Sequence, residues 1–393
     1  MSSQKDQILE SLRKATKLPE SEIQLEFPEN EEFGDYSSNI AMAIFSNFQF
    51  PISNFQSNFK FPNSKFKTAH DLALEIVEKL KTDKSLAKVV DKIEVAGPGF
   101  INFWLSREAL VGQLERAVRE KDRYGASNLG KGKTVVIDYS SPNIAKRFGI
   151  GHLRSTVIGQ ALYNLYKFLG YKVIGDNHLG DWGTQFGTLL FQINNQHLTV
   201  NKLTIDRLEE IYVDFNKKAE EKPELWDEAR AHFKKLEEGD KEARKMWQAI
   251  VDISMAEFER IYKILGVKID YAYGESFYED EMPGVIELLK EKGISKKSQG
   301  AEIVEFAPPA GGLPPAMVVK SDGTTTYLTR DLATIRFRLS QWNPDIIIYE
   351  VGSDQTLHFR QLFAIAEMLS WAKGRKFVHV AHGLIRFGHG KMS

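Results

Sequence analysis

The sequence predicts an α/β protein in which a doubly wound parallel sheet carries a helical insertion and follows a small α+β domain. From residue 133 onward, apolar runs of strand length alternate with amphipathic runs of helix length, as in parallel sheets joined by crossover helices. This alternation occurs on both sides of a charged helical stretch. A chain of 393 residues that is 42% hydrophobic can bury several domain cores, at roughly 150 residues per domain.

The first predicted domain spans residues 1–125. Its opening segment, "MSSQKDQILESLRKATKL", has the spacing of an amphipathic helix, and its charges of both signs are not those of a signal peptide. Its closing segment, "KIEVAGPGFINFWLS", combines strand-forming residues with Gly97, Pro98 and Gly99, which favour a turn. A helix combined with strands in this way predicts a small α+β domain.

The second predicted domain spans residues 126–393 and contains two α/β halves. In the first half, the strand "TVVIDYS", a helix from His152 to Leu169 and the strand "KVIGDNH" form a right-handed crossover unit. The second half has a helix from "RDLATIRFRLSQW", the strand "DIIIYEVG", a helix from "TLHFRQLFAIAEMLSWA" and the strand "FVHVAHGLI". Two such halves form a Rossmann-like nucleotide-binding sheet, in which ligands bind at the carboxyl ends of the strands where the strand order reverses.

Residues 196 to about 266 lie between the two halves and are predicted to form a charged helical insertion. Its Trp226, Phe233 and Leu236 are predicted to form the core of a helical hairpin. Its charged residues are most simply a solvated face. The insertion is therefore not expected to bind a cofactor.

The composition limits the partners and the compartment. The 52 basic and 53 acidic residues leave a formal charge of −1, so a surface for nucleic acid must be a local patch. The chain has no cysteine, which excludes disulfides, a thiolate nucleophile and cysteine-ligated zinc and fits a reducing compartment. No apolar run approaches the roughly 18 residues that span a bilayer. We therefore expect a cytoplasmic protein without a membrane partner.

The segment "GIGH" begins the first crossover helix, directly after the first strand of the predicted sheet. Backbone N–H groups and the helix dipole make such a helix start an anion site, and Gly149 and Gly151 would let a ligand approach the main chain. Alternatively, His152 is a helix cap or a packed residue. The phosphate loop of P-loop ATPases and the spaced glycine fingerprint of dehydrogenases are both absent, which disfavours those two classes.

The chain ends in "FGHGKMS", and the pair formed by this "KMS" and the HIGH-like "GIGH" resembles class I aminoacyl-tRNA synthetases. The longer blocks are similar to arginyl-tRNA synthetases over nearly the whole chain. They are "GDYSSNIAM", "GFINFWLS", "SSPNIAK" with "GIGHLRST", "NHLGDWGTQFG", and "TTTYLTRDLA" with "YEVGSDQTLHF".

This resemblance implies ATP-dependent attachment of arginine to its tRNA through an arginyl-adenylate, with Mg²⁺ as the counter-ion of ATP. The implied partners are L-arginine and arginine tRNA, and the protein is expected to be a monomer. The first domain would contact the tRNA elbow. An anticodon-binding domain would follow "KMS", so we expect this chain to be truncated there and incomplete for efficient charging. A non-catalytic RNA- or amino-acid-binding relative remains the alternative, because the family has histidine where this chain has Gly149.

The chemistry explains the residues that the resemblance selects. Attack of a carboxylate on the α-phosphorus of ATP requires positioning and charge neutralisation rather than a nucleophile. The implied catalytic residues are His152 and Lys391, and the implied ATP-binding residues are Gly149, Gly151, His152, Lys391, Met392 and Ser393. The group that replaces the missing histidine stays open between Lys146, Arg147 and the glycine backbone. No protein metal site is expected.

Arginine recognition requires carboxylates and flat acceptors, because guanidinium is planar, always charged and rich in donors. The implied arginine-binding residues are Asp138, Asn143, Glu275, Tyr327, Asp331 and Gln355. The four-residue step from Tyr327 to Asp331 would place both on one side of a helix start. Alternatively, Tyr327 is a half-buried strand residue and Asp331 a helix cap. Asn102 is implied to contact tRNA, with a turn-forming asparagine as the alternative.

Overall fold

The computed structural model of the protein describes residues 3–49, 66–307, 312–383, 386–387 and 390–391. The chain divides into two compact units, Met1–Gly125 and Ala126–Ser393.

The first unit is an α+β unit with an antiparallel sheet of order β1-β3-β2. Its elements are α1 (Gln4–Thr16), β1 (Tyr36–Ser38), α2 (Ile40–Gln49), α3 (Ala69–Lys81), β2 (Val90–Ala96), β3 (Phe100–Leu105) and α4 (Arg107–Glu120). Gly97 and Gly99 take φ angles of +51° and +131° in the turn between β2 and β3, which glycine adopts easily. The predicted α+β domain is confirmed.

The core of the first unit lies between its helices and its sheet. Ser3 and Asp6 form a capping box at the start of α1, and Thr68 and Asp71 form another at the start of α3. The fully buried apolar side chains of this core include Ile8, Leu12, Ile40, Leu72, Ile76 and Phe103.

The second unit contains a parallel sheet of order β10-β9-β4-β5. The strands of this sheet are β4 (Thr134–Asp138), β5 (Lys172–Asp176), β9 (Ile346–Gly352) and β10 (Lys376–His382). The helices of the unit are α5 (Ile150–Phe168), α6 (Thr184–Asn195), α7 (Ile205–Glu221), α8 (Leu225–Glu237), α9 (Lys241–Leu265), α10 (Met282–Glu291), α11 (Tyr327–Trp342) and α12 (Thr356–Met368). Strand β4 has β5 on one side and β9 on the other, so the strand order reverses there, and the doubly wound α/β fold is confirmed.

Helices α7, α8 and α9 lie within the segment predicted as a helical insertion. Leu236 is fully buried and Phe233 packs against the same cluster, while the ring of Trp226 contacts Phe215 at a centroid distance of 5.1 Å. Asp240 caps the start of α9 by accepting a hydrogen bond from the N–H of Ala243 at 2.9 Å. The insertion therefore contains three helices rather than one hairpin, and Trp226 packs in a different cluster from Phe233 and Leu236.

A second sheet in this unit has no counterpart in the prediction. It is antiparallel, with order β6-β7-β8, and consists of β6 (Ser295–Ser298), β7 (Ala301–Val304) and β8 (Ala316–Val319). Gln299 and Gly300, with φ angles of +50° and +82°, form the two-residue turn between β6 and β7. The remaining short strand pair is β11 (Arg386–Phe387) with β12 (Gly390–Lys391).

Candidate active site

A cavity of 570 Å³ opens at the carboxyl ends of β4 and β9 and beside the first turns of α11 and α12. It brings together all six residues that the sequence assigns to an arginine site. They are Asp138, Asn143, Glu275, Tyr327, Asp331 and Gln355. They come from separate segments of the chain, so only the fold brings them together.

Asp138 ends β4 at the floor of this cavity and belongs to a buried ionic triad. Arg338, which is fully buried on α11, donates from Nη2 to Oδ2 of Asp138 at 2.6 Å and from Nε to Oδ2 of Asp176 at 2.8 Å. Ser141 donates to the other oxygen of Asp138 at 2.9 Å. Asp138 is therefore fixed from two sides.

The triad places two carboxyl groups against one guanidinium beneath the cavity. Burial raises the pKa of Asp176, and Arg338 opposes that rise. Burial by itself would lower the pKa of Arg338, but Asp138 and Asp176 hold it well above its ordinary value. Among the described residues, Oδ1 of Asp176 and Nη1 of Arg338 have no hydrogen-bond partner. Two carboxyl groups therefore share one guanidinium here, and burial and Arg338 act in opposite directions on the charge of Asp176.

Tyr327 and Asp331 lie on the first two turns of α11 and both line the cavity. Tyr327 is the first helical residue and is 70% exposed, so it is not a half-buried strand residue. Asp331 lies inside the helix and is therefore not the helix cap. Nε2 of His358 lies 2.5 Å from Oδ2 of Asp331. The four-residue step places the two side chains on one side of the helix start, as predicted.

Glu275 begins a short 3₁₀ helix, Glu275–Glu281, at the side of the cavity. Nη1 of Arg330 donates to it at 3.2 Å, and Nη2 of Arg330 lies 3.6 Å from Glu279. Burial raises the pKa of Glu275 to about 7, although Arg330 opposes the rise. Burial therefore favours the protonated carboxyl group, and Glu275 changes its charge near neutral pH.

The loop after β4 has an unusual backbone that side chains of α9 support. Ser140, Ser141 and Ala145 take φ angles of +75°, +44° and +63°, which cost energy in residues other than glycine. Ser254 of α9 accepts a hydrogen bond from the N–H of Ala145, and the hydroxyl of Tyr262 lies 2.7 Å from Oγ of Ser140. The insertion thus holds the loop that carries Asn143.

Asn143 and Gln355 are exposed polar members of the cavity lining, as is Asp354. Asn143 forms a parallel bridge with Gly180, and a Cβ atom on Gly180 would lie only 2.1 Å from Oδ1 of Asn143. Glycine at this position therefore permits the close approach. Gln355 ends the one-turn 3₁₀ helix that follows β9.

The "GIGH" residues lie at the start of α5 and are not part of the cavity lining. Gly149 is the N-cap, and Nδ1 of His152 accepts a hydrogen bond from its N–H at 3.2 Å. Burial, with a smaller effect of Lys146, lowers the pKa of His152. The ring is therefore neutral at pH 7, with its proton on Nε2. His152 caps the helix through one nitrogen and keeps the other as a donor.

Open space lies beside both glycines, because a Cβ atom on Gly149 or Gly151 would meet no atom within 4 Å. A helix start with free N–H groups and such space fits a phosphate. Of the groups that could replace the absent histidine, Arg147 lies 2.8 Å from Asp206 and 2.9 Å from Glu209 of α7. Lys146 lies over the ring of Tyr212, at 5.6 Å from its centroid. Arg147 is therefore less available than Lys146 or the glycine backbone.

The structure describes the "KMS" element only in part. The backbone of Lys391 pairs with Arg386 in the strand pair β11 and β12. Met392 and Ser393, which the sequence assigns to ATP binding, lie outside the described residues.

Asn102 lies in the first unit, within β3 rather than in a turn. It is 2% exposed and accepts a hydrogen bond from Oγ of Ser37 at 2.7 Å. Asn102 also lines a cavity of 520 Å³ in that unit, beside the exposed rings of Phe27, Phe33 and Phe100. The predicted tRNA contact at Asn102 thus faces a cavity with an aromatic wall.

The described part of the chain contains no group of three or more acidic or histidine side chains arranged to hold a metal ion. No helix in the same residues is long and apolar enough to cross a membrane.

The family model "tRNA synthetases class I (R), catalytic domain" matches residues 113–392. The chain belongs to the class I arginyl-tRNA synthetase family. A second model, "Arginyl tRNA synthetase N terminal domain", matches residues 2–105.

Relatives of known name agree with this assignment. The chain is 41% identical over 377 residues to the arginine–tRNA ligase of Clostridioides difficile strain 630, covering 95% of this chain and 62% of that protein. It is 42% identical over 399 residues to the arginine–tRNA ligase of Streptococcus suis strain 05ZYH33, covering 100% of this chain and 66% of that protein. The chain thus spans a little under two thirds of the length of these relatives.

Solved structures show the same fold. The arginyl-tRNA synthetase of Plasmodium falciparum matches with a TM-score of 0.77 and 26% identity, over 97% of this chain and 65% of that one. The Thermus thermophilus arginyl-tRNA synthetase matches with a TM-score of 0.73 and 20% identity, over 98% and 66%.

Two residues of the cavity region were missed by the sequence analysis. Arg338 follows the buried positions Leu328, Leu332 and Ile335 at helical spacing, so the sequence places it on the apolar face of α11. Since a buried arginine is almost always paired with carboxylates, this position indicates buried acidic partners. His358 had a weaker signal, namely its place in the first turn of a helix that follows the carboxyl end of a strand.

Proposed function

We propose that this chain supplies the amino-acid activation site of an arginine–tRNA ligase, which uses ATP to form arginyl-adenylate and then arginyl-tRNA. The observation that carries the proposal is the single cavity lined by all six residues of the predicted arginine site. Family membership and the curated relatives support the same reaction. The non-catalytic alternative rests on Gly149 alone, at a helix start that is otherwise suited to a phosphate.

The charges of the cavity suit a guanidinium ligand. The triad places the carboxyl groups of Asp138 and Asp176 against the single guanidinium of Arg338, and Asp331 adds a further carboxyl group at the wall. The exposed ring of Tyr327 provides a flat surface on which a planar cation can stack. Asn143 and Gln355 are then available for the α-amino and α-carboxylate groups of the amino acid.

ATP fits the start of α5, where N–H groups, two glycines with open space and Nε2 of His152 are available to phosphate oxygens. In this proposal His152 donates to the phosphate charge that develops during attack, and Lys391 adds a positive charge. ATP supplies the leaving pyrophosphate. Mg²⁺ would arrive as the counter-ion of ATP and neutralise part of the charge of its phosphates. Gly149 contributes its backbone where the family has a histidine.

Arginine tRNA is the second substrate in this proposal, and residues 1–125 contact it through the cavity beside Asn102. Residues 126–393 form the catalytic domain, with the insertion at about 196–266 as its support. We propose that the protein acts in the cytoplasm, since a chain without cysteine fits a reducing compartment, and that it acts as a monomer. Sedimentation at several concentrations tests the oligomeric state.

The deciding experiment is arginine-dependent exchange of pyrophosphate into ATP, with and without arginine tRNA. His152→Asn keeps an acceptor for the N–H of Gly149 but removes the Nε2 donor, so exchange should fall by about 10²-fold or more with little change in stability. His152→Ala should add a capping loss of roughly 0.5–2 kcal/mol. Normal exchange in His152→Asn would make His152 a cap only. Arginine binding without any exchange would favour the non-catalytic alternative.

A further inference from the structure

His358 contacts Asp331 in the wall of the cavity, and no motif in the sequence gives His358 a role. His358 lies in the first turn of α12 and Asp331 in the second turn of α11, and both line the cavity. Nε2 of His358 lies 2.5 Å from Oδ2 of Asp331. Their side chains are 25% and 22% exposed, so the pair is shielded but still open to a ligand.

The contact requires a proton on Nε2, because an ionised carboxylate only accepts hydrogen bonds. A neutral imidazole with its proton on Nε2 leaves the pair with a charge of −1. An imidazolium would cancel that charge. The protonation state of His358 therefore changes the charge of the cavity by one unit, at a carboxylate that faces the ligand.

Other charged and titratable groups surround the pair. Glu275 and Tyr349 interact electrostatically with Asp331, and His379 of β10 does so with His358. The same cavity is lined by His178 and Asp354, and Arg330 neutralises part of the charge of Glu275. Of these groups, Glu275 has a pKa that burial raises to about 7, so its charge changes near neutral pH. A test of His358 must therefore separate its effect from that of Glu275.

We propose that His358 is a positioning residue for Asp331. In its neutral form, His358 gives the cavity its affinity for a guanidinium, and protonation of His358 weakens that affinity. The inference rests on the proposed function, in which Asp331 binds the guanidinium of arginine. By donating to Oδ2, His358 fixes the carboxylate and leaves Oδ1 for the ligand. A carboxylate held by a neutral donor keeps its net negative charge, whereas a lysine or arginine partner would neutralise that charge.

The test measures binding of L-arginine by titration calorimetry at about pH 8 and about pH 5.5, the range in which histidine changes charge. L-citrulline, which has a neutral ureido group in place of guanidinium, is the matched ligand. The wild-type protein should lose arginine affinity at the lower pH and show no such loss for citrulline. His358→Gln keeps an N–H donor but cannot gain a charge, so its loss at low pH should be smaller. His358→Leu should weaken arginine about tenfold or more at pH 8.

His379→Gln is the matched control, because Nε2 of His379 contacts the carbonyl of Val351 at 3.0 Å and not Asp331. It should keep the wild-type pH dependence. Glu275→Gln should remove only the carboxyl part of that dependence. The inference about His358, but not the proposed function, would be overturned if the arginine affinity of His358→Gln kept the full wild-type pH dependence and His358→Leu bound arginine normally. A wild-type protein that does not bind arginine would overturn the proposed function as well.

Discussion

At the scale of single residues, Arg338 is the side chain on which the interior of the second unit depends most. Arg338→Leu would leave Asp138 and Asp176 buried without a counter-charge. The free energy of unfolding, measured by urea denaturation, should fall by about 3–5 kcal/mol. Arg336, on the same helix as Arg338, forms an exposed ion pair with Glu281 at 3.9 Å. Arg336→Leu should therefore lower the free energy of unfolding by less than about 1 kcal/mol. Similar losses in both variants would contradict this account.

Glu275 should make the protein less stable as the pH rises. Burial raises its pKa to about 7 in the folded state, from an ordinary value of 4.5. Between these values the folded state binds more protons than the unfolded state, so stability from this group is present below pH 4.5 and is lost as the pH rises through 7. Glu275→Gln should therefore raise the free energy of unfolding by roughly 1–3 kcal/mol at pH 8 and by little at pH 5.

Exposed Glu287 of α10 provides the control for this measurement, since Glu287→Gln should change stability equally at both pH values. A gain in Glu275→Gln that does not depend on pH would mean that packing, and not the buried charge, causes it. A costly carboxyl group in the wall of a cavity is what a site built for a cation would contain.

At the scale of elements, the loop after β4 depends on α9. Ser254 is fully buried, and its Oγ accepts from the N–H of Ala145 at 2.9 Å and donates to the carbonyl of Ile250 at 2.9 Å. Ser254→Ala leaves the N–H of Ala145 without its partner, which should cost roughly 1–3 kcal/mol in urea denaturation. Because the loop carries Asn143, the KM for arginine should rise while the KM for ATP changes less.

Ser340→Ala on α11 is the matched control, because Ser340 is exposed and its hydroxyl donates to the carbonyl of Phe337 in its own helix. Its stability should stay within about 0.5 kcal/mol of wild type. If Ser254→Ala were equally harmless, the left-handed φ angle of Ala145 would have to be maintained by the loop itself.

At the scale of the whole molecule, the strands and helices of the two α/β halves could be predicted because their apolar spacing reports burial directly. The antiparallel sheet β6-β7-β8 could not, since its strands are only four residues long and β6 reads "SKKS", without buried alternation. The residues of the cavity were found through motifs, not through spacing. The pairing of Arg338 with Asp138 joins positions 200 residues apart, and only the fold determines it.

The two units have separate cores, so we expect two unfolding transitions in scanning calorimetry. Phe103 is fully buried in the first unit and Phe258 in the helical cluster of the second. Phe103→Ala and Phe258→Ala should each destabilise one transition by about 3–5 kcal/mol and leave the other in place. L-Arginine should raise only the transition that Phe258→Ala lowers, since ligand binding stabilises the unit that contains the site. One transition that responds to both substitutions would show that the units unfold together.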